Sequence, residues 1–258
     1  MNSLCILVTR PDPGGEELCE QLQAQGDVAL HFPTIVFVPP DDEAAFAESV
    51  SLVGDQDWLL FVSPQAVRAS VPAIRRAWPV MPESVRFAAI GAGTAKALEE
   101  AGYNVAVTPD TEWSAEGLLD SPAFQEIEGQ RVAVVRGEGG REILETILAE
   151  RDAEVVSMIA YQRAKPKVDI KPYLILLKDD KIDLIVCTSF EGVVNLQELI
   201  GEAGWPMLKT VPLLVVSDRI KALARELGFQ TIWVASNASH AAILKVIALK
   251  RKELCQTK

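Results

Sequence analysis

Histidine is scarce in this chain of 258 residues: there are two, His31 and His240, far apart in the sequence. A metal site built on imidazoles is not expected, nor is a Ser–His–Asp or Cys–His nucleophile. Cysteine is also sparse. Cys5, Cys19, Cys187 and Cys255 show no CxxC spacing, so disulfides are not expected and a reducing, cytoplasmic compartment is. No apolar run approaches the roughly 20 residues of a membrane span. The opening MNSLCILVTRPD has no basic n-region, so no signal peptide is expected. Cations are outnumbered, 25 Lys and Arg against 36 Asp and Glu, for a net charge of −11. That balance argues against nucleic acid and anionic membrane as partners. There is no P-loop. Gly91-Ala92-Gly93 holds half of a dinucleotide fingerprint but lacks the third glycine, and no acidic residue ends the next strand. NAD is rejected and a general anion-binding turn is left.

What the chain does contain is a repeat. The stretch from Arg131 to Arg163 reads as strand, glycine turn, helix, strand. Val132 to Val135 is an apolar run that breaks at Gly137, Gly139 and Gly140; Ile143, Leu144, Ile147 and Leu148 then share one helix face. Moved back by 126 residues, this stretch lands on Cys5 to Phe37. Arg136 meets Arg10, Gly140 meets Gly14, Glu142 meets Glu16 and Leu148 meets Leu22. The same shift brings Asp183–Val193 onto Asp57–Val67, Glu226–Gln230 onto Glu100–Asn104 and Pro166 onto Pro40. A constant, gapless offset of 126 implies tandem duplication.

Ten strands are expected, five per copy: Cys5–Thr9, Ala29–Val38, Trp58–Val62, Phe87–Ile90, Val105–Thr108, Val132–Val135, Val155–Tyr161, Leu184–Thr188, Leu213–Val216 and Ile232–Ala235. Helices are expected between most of them, at Glu16–Ala24, Thr94–Ala101, Arg141–Glu150 and Ile220–Leu227 among others. β-Branched runs alternating with helices predict an α/β fold with parallel sheets covered on both faces. Gly102 and Gly228 stand where helix ends want a left-handed residue. Val38-Pro39-Pro40 and Arg163-Ala164-Lys165-Pro166 interrupt the pattern at the same repeat position. Proline breaks ladder bonding, so these are the expected linkers. They predict one continuous domain, 39–165, and one discontinuous domain, 1–38 with 166–258.

In an open parallel sheet, ligands bind beyond the carboxyl ends of the strands. Small polar and glycine residues collect there: Arg10, Ser63, Gly91, Thr94, Ser114, Arg136, Gly137, Ser189 and Ser217. Each Ser or Thr has a competing role as a helix N-cap, and Arg10 and Arg136 have one as ion-pair partners of Glu16 and Glu142. Tyr161 ends the last strand before the second linker, and its repeat partner is Ile35, so duplication does not account for it. A phenol is protonated at neutral pH and can donate a proton where histidine is absent.

Taken in order, VTRP at Val8, SPQAV at Ser63, IGAGTAKAL at Ile90, SAEGLL at Ser114, RGEGGREILETIL at Arg136, YQR at Tyr161 and CTSFEGVVNL at Cys187 resemble the uroporphyrinogen-III synthase family over essentially the whole chain. The resemblance implies two flavodoxin- or HemD-like α/β domains joined by a two-stranded linker. It implies a monomeric lyase of tetrapyrrole (porphyrin, heme) biosynthesis that needs no cofactor. Its substrate would be the linear tetrapyrrole hydroxymethylbilane, bound between the domains and closed with loss of water and inversion of ring D. The family's tyrosine maps onto Tyr161, and its hydroxyl-bearing loops map onto Ser63, Thr94 and Ser189. One departure is Ile220, in the second copy of the GxxTA loop, where the family often keeps Thr. The residues by themselves also admit a two-domain module that binds a small anion or nucleotide without chemistry.

Overall fold

The computed structural model describes residues 3–109, 114–139 and 142–256. Its strands are β1 (Cys5–Val8), β2 (Val28–His31), β3 (Val36–Val38), β4 (Trp58–Phe61), β5 (Arg86–Ala89), β6 (Val105–Val107), β7 (Arg131–Gly137), β8 (Glu154–Ala164), β9 (Leu184–Val186), β10 (Leu213–Val215) and β11 (Ile232–Val234). They form two sheets, one ordered β11-β10-β9-β1-β2 and the other β3-β8-β7-β4-β5-β6. The paired strands within both sheets run parallel from β1 to β2 and β9, and from β7 to β4 and β8. The chain divides into two compact units, one of residues 1–36 with 164–258 and one of residues 37–163. We refer to them as unit 1 and unit 2.

One predicted strand was wrong. Ala29–Val38 is not continuous: it is β2 and β3, which lie in different sheets. Pro33 between them has no N–H for a ladder, and Thr34 turns back so that its N–H and its Oγ1 both donate to the Thr9 carbonyl, at 3.2 Å each. Eleven strands thus stand among the described residues where ten were expected.

Within each sheet, alternate residues of a strand face opposite layers. In unit 2, Leu59, Phe61, Ala133 and Val135 pack into one core with the helix Pro64–Ala77, while Trp58, Leu60, Val132 and Val134 pack into another with Leu118, Phe124 and Leu148. In unit 1, Leu7, Ile185, Leu213 and Val215 face Leu196 and Ile200, and Ile6, Val8, Leu184 and Leu214 face Leu18, Leu22 and Ile243. Both faces are buried, which is why these strands read as unbroken apolar runs rather than as alternating ones. Each fully buried Leu or Ile contributes about 1.5–3 kcal/mol.

Helix boundaries follow their caps. Ser63, Ser189 and Ser217 open the helices Pro64–Ala77, Phe190–Leu208 and Asp218–Glu226 from extended backbone. Gly102 and Gly228 close the helix ends before them with φ of 75° and 96°, the left-handed values that glycine takes without strain. The predicted helix Arg141–Glu150 is described from Ile143 to Glu150; Gly140 and Arg141 lie outside the described residues.

Candidate active site

The carboxyl ends of β4, β5, β7 and β8 meet at one rim of unit 2. There Val62, Ser63, Ile90, Ser114, Glu116, Arg136, Gly137, Glu138, Tyr161 and Arg163 line a cavity of about 360 Å³. This size and mixture of apolar walls with a few convergent polar groups suit a small-molecule site.

Tyr161 is the wall with the most chemistry. The residue is 6% exposed, and its ring packs edge-to-face with Phe37, ring centroids 5.3 Å apart. Its Oη lies 3.3 Å from Ser63 Oγ. Gly137 sits beside it in the ladder, and a Cβ at Gly137 would fall 2.5 Å from Tyr161 Cζ. The glycine is thus required by a close approach rather than by its backbone angles: only a hydrogen leaves room for the ring. β8 continues past Tyr161 to Ala164, so the tyrosine is within the strand and not at its end, as the sequence had suggested. It reaches the rim because Gly137 is the last residue of its neighbour β7.

The serines act as caps. Ser63 Oγ accepts from Ala66 N–H at 3.0 Å, Ser114 Oγ from Gly117 N–H at 3.1 Å, Ser189 Oγ from Gly192 N–H at 2.9 Å and Ser217 Oγ from Ile220 N–H at 3.3 Å. Capping occupies a lone pair and leaves each hydroxyl its own proton to donate. The helix Ala92–Glu100 differs. It starts at Gly91 with no side-chain cap, so the N–H groups of Ala92 and Gly93 keep the capacity to hold an anion, while Thr94 N–H donates to the Gly91 carbonyl at 3.0 Å. Thr94 is buried in that first turn, 3% exposed. Ile220, 126 residues further on, is buried in one cluster with Val215, Ala224 and Phe229.

Arg136, whose side chain is 7% exposed, is held by two carboxylates: Nη2 lies 3.1 Å from Glu142 Oε1 and Nε 2.6 Å from Glu145 Oε1. Ser157 Oγ donates to that same Glu145 oxygen at 3.0 Å. The ion-pair role expected with Glu142 is therefore present, and Glu145 is a partner that sequence reasoning missed. Only the i, i+3 spacing of Glu142 and Glu145 on one helix face signalled it.

The remaining candidates belong to unit 1. Arg10 Nη1 donates to the Ala238 carbonyl at 3.0 Å. Partial burial lowers its pKa from the ordinary guanidinium value, and Glu17 opposes that. His31 Nε2 lies 3.0 Å from the Arg10 carbonyl and 3.4 Å from Asp12. Beside Ser189, the Thr34 carbonyl accepts from Asn195 Nδ2 at 2.9 Å, and Thr9 Oγ1 donates to the Val186 carbonyl at 3.0 Å. So Ser63, Ser114, Arg136, Gly137 and Tyr161 share one cavity, Gly91 and Thr94 stand on the next loop, and Arg10, Ser189 and Ser217 lie on strand ends of the other unit. Glu116, Glu138 and Arg163 fall within the stretches SAEGLL, RGEGGREILETIL and YQR, but sequence reasoning did not single them out as site residues. No group of His, Cys, Asp and Glu among the described residues has the geometry of a metal site.

The family model described as uroporphyrinogen-III synthase HemD matches residues 16–245. The chain belongs to the uroporphyrinogen-III synthase family. The uroporphyrinogen-III synthase of Escherichia coli is 37% identical over 250 residues, covering 95% of this chain and 100% of that one. The one from Salmonella typhimurium is 38% identical over 251 residues, with 95% and 100% covered. Among solved structures, a mutant uroporphyrinogen III synthase from Thermus thermophilus aligns over 99% of this chain and 100% of that one, with a TM-score of 0.58 at 21% identity. The Helicobacter pylori uroporphyrinogen-III synthetase gives 0.56 at 15% identity over 96% and 99%. The structures carry the family's fold, two domains with parallel sheets, and the sequence relatives carry the family assignment. No helix among the described residues is long and apolar enough to cross a membrane.

Proposed function

We propose that this chain is a uroporphyrinogen-III synthase, a cyclising hydro-lyase of porphyrin biosynthesis. It takes hydroxymethylbilane, expels water and closes the macrocycle with ring D inverted. The relationship to the enterobacterial enzymes over nearly the whole chain carries this reading, and the rim of unit 2 supplies a chemistry for it. A hydroxymethylpyrrole loses its hydroxyl with help from the ring nitrogen, so the protein must donate a proton to the departing oxygen and hold ring D for attack at its substituted carbon. Ser63 Oγ accepts from Ala66 N–H and keeps its own proton; with Tyr161 Oη 3.3 Å away, the mechanism takes Ser63 as the donor of that pair. That arrangement leaves the phenol proton of Tyr161 for the leaving hydroxyl. The carboxylates of the substrate fall to donors that need no net positive charge: the open helix start at Gly91 near Thr94, the hydroxyls of Ser114, Ser189 and Ser217, and the guanidinium groups of Arg10 and Arg136. A helix start of this kind holds an anion by roughly 0.3–1 kcal/mol. The proposed chemistry uses no cofactor.

Tyr161→Phe tests the reading. It removes the hydroxyl and keeps the ring that packs on Phe37 and over Gly137. With freshly made hydroxymethylbilane, the parent is expected to yield the type III isomer, and the variant to lose about 10²–10⁴-fold in rate. The substrate would then close by itself to the uninverted isomer. A folded variant with parental rate would remove Tyr161 from the chemistry, and a parent that yields no type III product would remove the activity. We also take the units as two domains divided near Val38 and Arg163, in a monomer that works in the cytoplasm. Limited proteolysis cutting first near those residues, and a monomer's mass by light scattering, are the expected results.

A further inference from the structure

In unit 1, Phe190 opens its helix directly behind the cap Ser189, at the carboxyl end of β9. The residue is 43% exposed. After β10, Ser217 caps the next helix and Arg219 stands in its first turn, with its guanidinium carbon 5.8 Å from the centroid of the Phe190 ring. Arg219 is itself exposed. Two neighbouring helix starts therefore hold an exposed aromatic residue and a guanidinium side by side.

The other unit shows what the fold alone requires at these places. The positions 126 residues earlier are Pro64 and Gly93, and a Cβ on Gly93 would lie 3.6 Å from Pro64 Cγ. The helix starts approach each other in both units, but only unit 1 fills the approach with an aromatic and a cation. Helix geometry does not ask for phenylalanine, since proline suits the first helical position at least as well. A ring left half in water forgoes burial, and the guanidinium within about 6 Å of its face orients it.

We infer that Phe190 and Arg219 form a docking pair for one carboxylate-bearing pyrrole ring. The pyrrole stacks on the uncovered part of the Phe190 ring, and the guanidinium takes a carboxylate arm of that same pyrrole in its planar fork. The pair binds and orients and takes no part in proton transfer. This assignment rests on the proposed function, which makes the ligand a polycarboxylated tetrapyrrole.

The test uses the full chain with Phe190→Ala, Phe190→Trp, Arg219→Ala and Arg219→Lys, each checked for folding by circular dichroism and thermal unfolding. Two readouts are taken: KM and kcat with hydroxymethylbilane, and the Kd of uroporphyrin, the oxidised octacarboxylic macrocycle, by fluorescence quenching at several salt concentrations. Phe190→Ala is expected to raise KM and Kd about two- to twelvefold, with kcat within about twofold. Phe190→Trp should stay within about twofold of the parent on both. Arg219→Ala should weaken uroporphyrin binding and flatten its salt dependence, and Arg219→Lys should recover the salt dependence without the full affinity. A folded Phe190→Ala with parental KM and Kd overturns the inference, as does an effect confined to kcat. Should the parent fail to cyclise the bilane, the functional reading falls, and uroporphyrin binding then judges the pair alone. A Kd unmoved by either alanine variant, or no binding by the parent, overturns it.

Discussion

The two units are built on one plan and end differently. Read from β11 to β2, unit 1 pairs its strands as unit 2 does from β6 to β8, and the corresponding strands lie 126 residues apart, as Trp58 and Leu184 at the starts of β4 and β9 do. The difference lies at the strand ends. In unit 2, β8 runs on beside β7, so Tyr161 stands over Gly137 at an open cavity. In unit 1 the matching segment leaves the sheet at Phe32, which is fully buried, and Thr34 is tied to Thr9 and Asn195. The arginines diverge for a related reason. Arg136 and Arg10 correspond, as do Glu142 and Glu16, but the position of Glu145 is held by Cys19 in unit 1. With Glu145 present, Arg136 is pinned under the cavity; with a thiol in its place, Arg10 turns to a backbone carbonyl. A shared fold thus sets where loops stand, and single side chains decide which rim is equipped for chemistry.

Gly137→Ala should erase that difference most completely. Its Cβ would meet the Tyr161 ring, so the ring must move away from Ser63; a shift of this kind costs on the order of 10²-fold in rate and about 1–3 kcal/mol in stability. Isomer analysis of the product and thermal unfolding check both. Parental activity would mean that the ring position is unimportant. The arginines come next. Arg136→Ala strands the Glu145 carboxylate in a buried setting and should cost about 3–5 kcal/mol. Arg10→Ala removes one hydrogen bond to a carbonyl and should cost about 1 kcal/mol. Equal losses in denaturant unfolding would break the comparison.

Cys19 gives unit 1 a buried thiol, a residue type that unit 2 lacks. Burial, with Asp12 and Glu16 adding to it, pushes its thiol up to about 11 from an ordinary 9.0. The unfolded chain therefore loses this proton first as pH rises. The thiol's full contribution is present below about pH 9, and stability falls between about pH 9 and 11 by on the order of 2 kcal/mol. Unfolding free energies measured across that window should slope less in Cys19→Ala than in the parent; parallel slopes would count against the burial of this thiol. The smallest effects separate the caps. Ser63→Ala and Ser189→Ala should each cost about 1 kcal/mol of stability. Only Ser63→Ala should also lower kcat, because only Ser63 touches Tyr161. Equal kcat values for the two would detach Ser63 from the phenol.

The strands of both sheets were legible because runs such as Val132–Val135 are buried on both faces and so carry no polar interruptions. Cap positions were legible too, since Ser63, Ser114, Ser189 and Ser217 each stand immediately before a helix whose first turn needs an acceptor. The break between β2 and β3 was not. Pro33 marks a defect in a ladder, but sequence alone does not say whether the chain resumes in the same sheet. Glu145 was missed because it reads as one of several carboxylates on an amphipathic helix, and only packing shows that its partner is Arg136. Arg163 and Glu138 were missed for the same reason: a charge near a strand end has no periodic signature.

By itself, the sequence determined the α/β class, the parallel sheets, the glycines at helix ends and the residues that cap helices. These depend on local periodicity and on hydrogen-bond demands within a few residues. The tertiary structure alone decided that Tyr161 lies against Gly137 and Ser63, that Arg136 is held by Glu145, and that Phe190 meets Arg219. Each of these is a contact between residues on different strands or helices, fixed by ladder register and by close packing, and neither leaves a pattern along the chain.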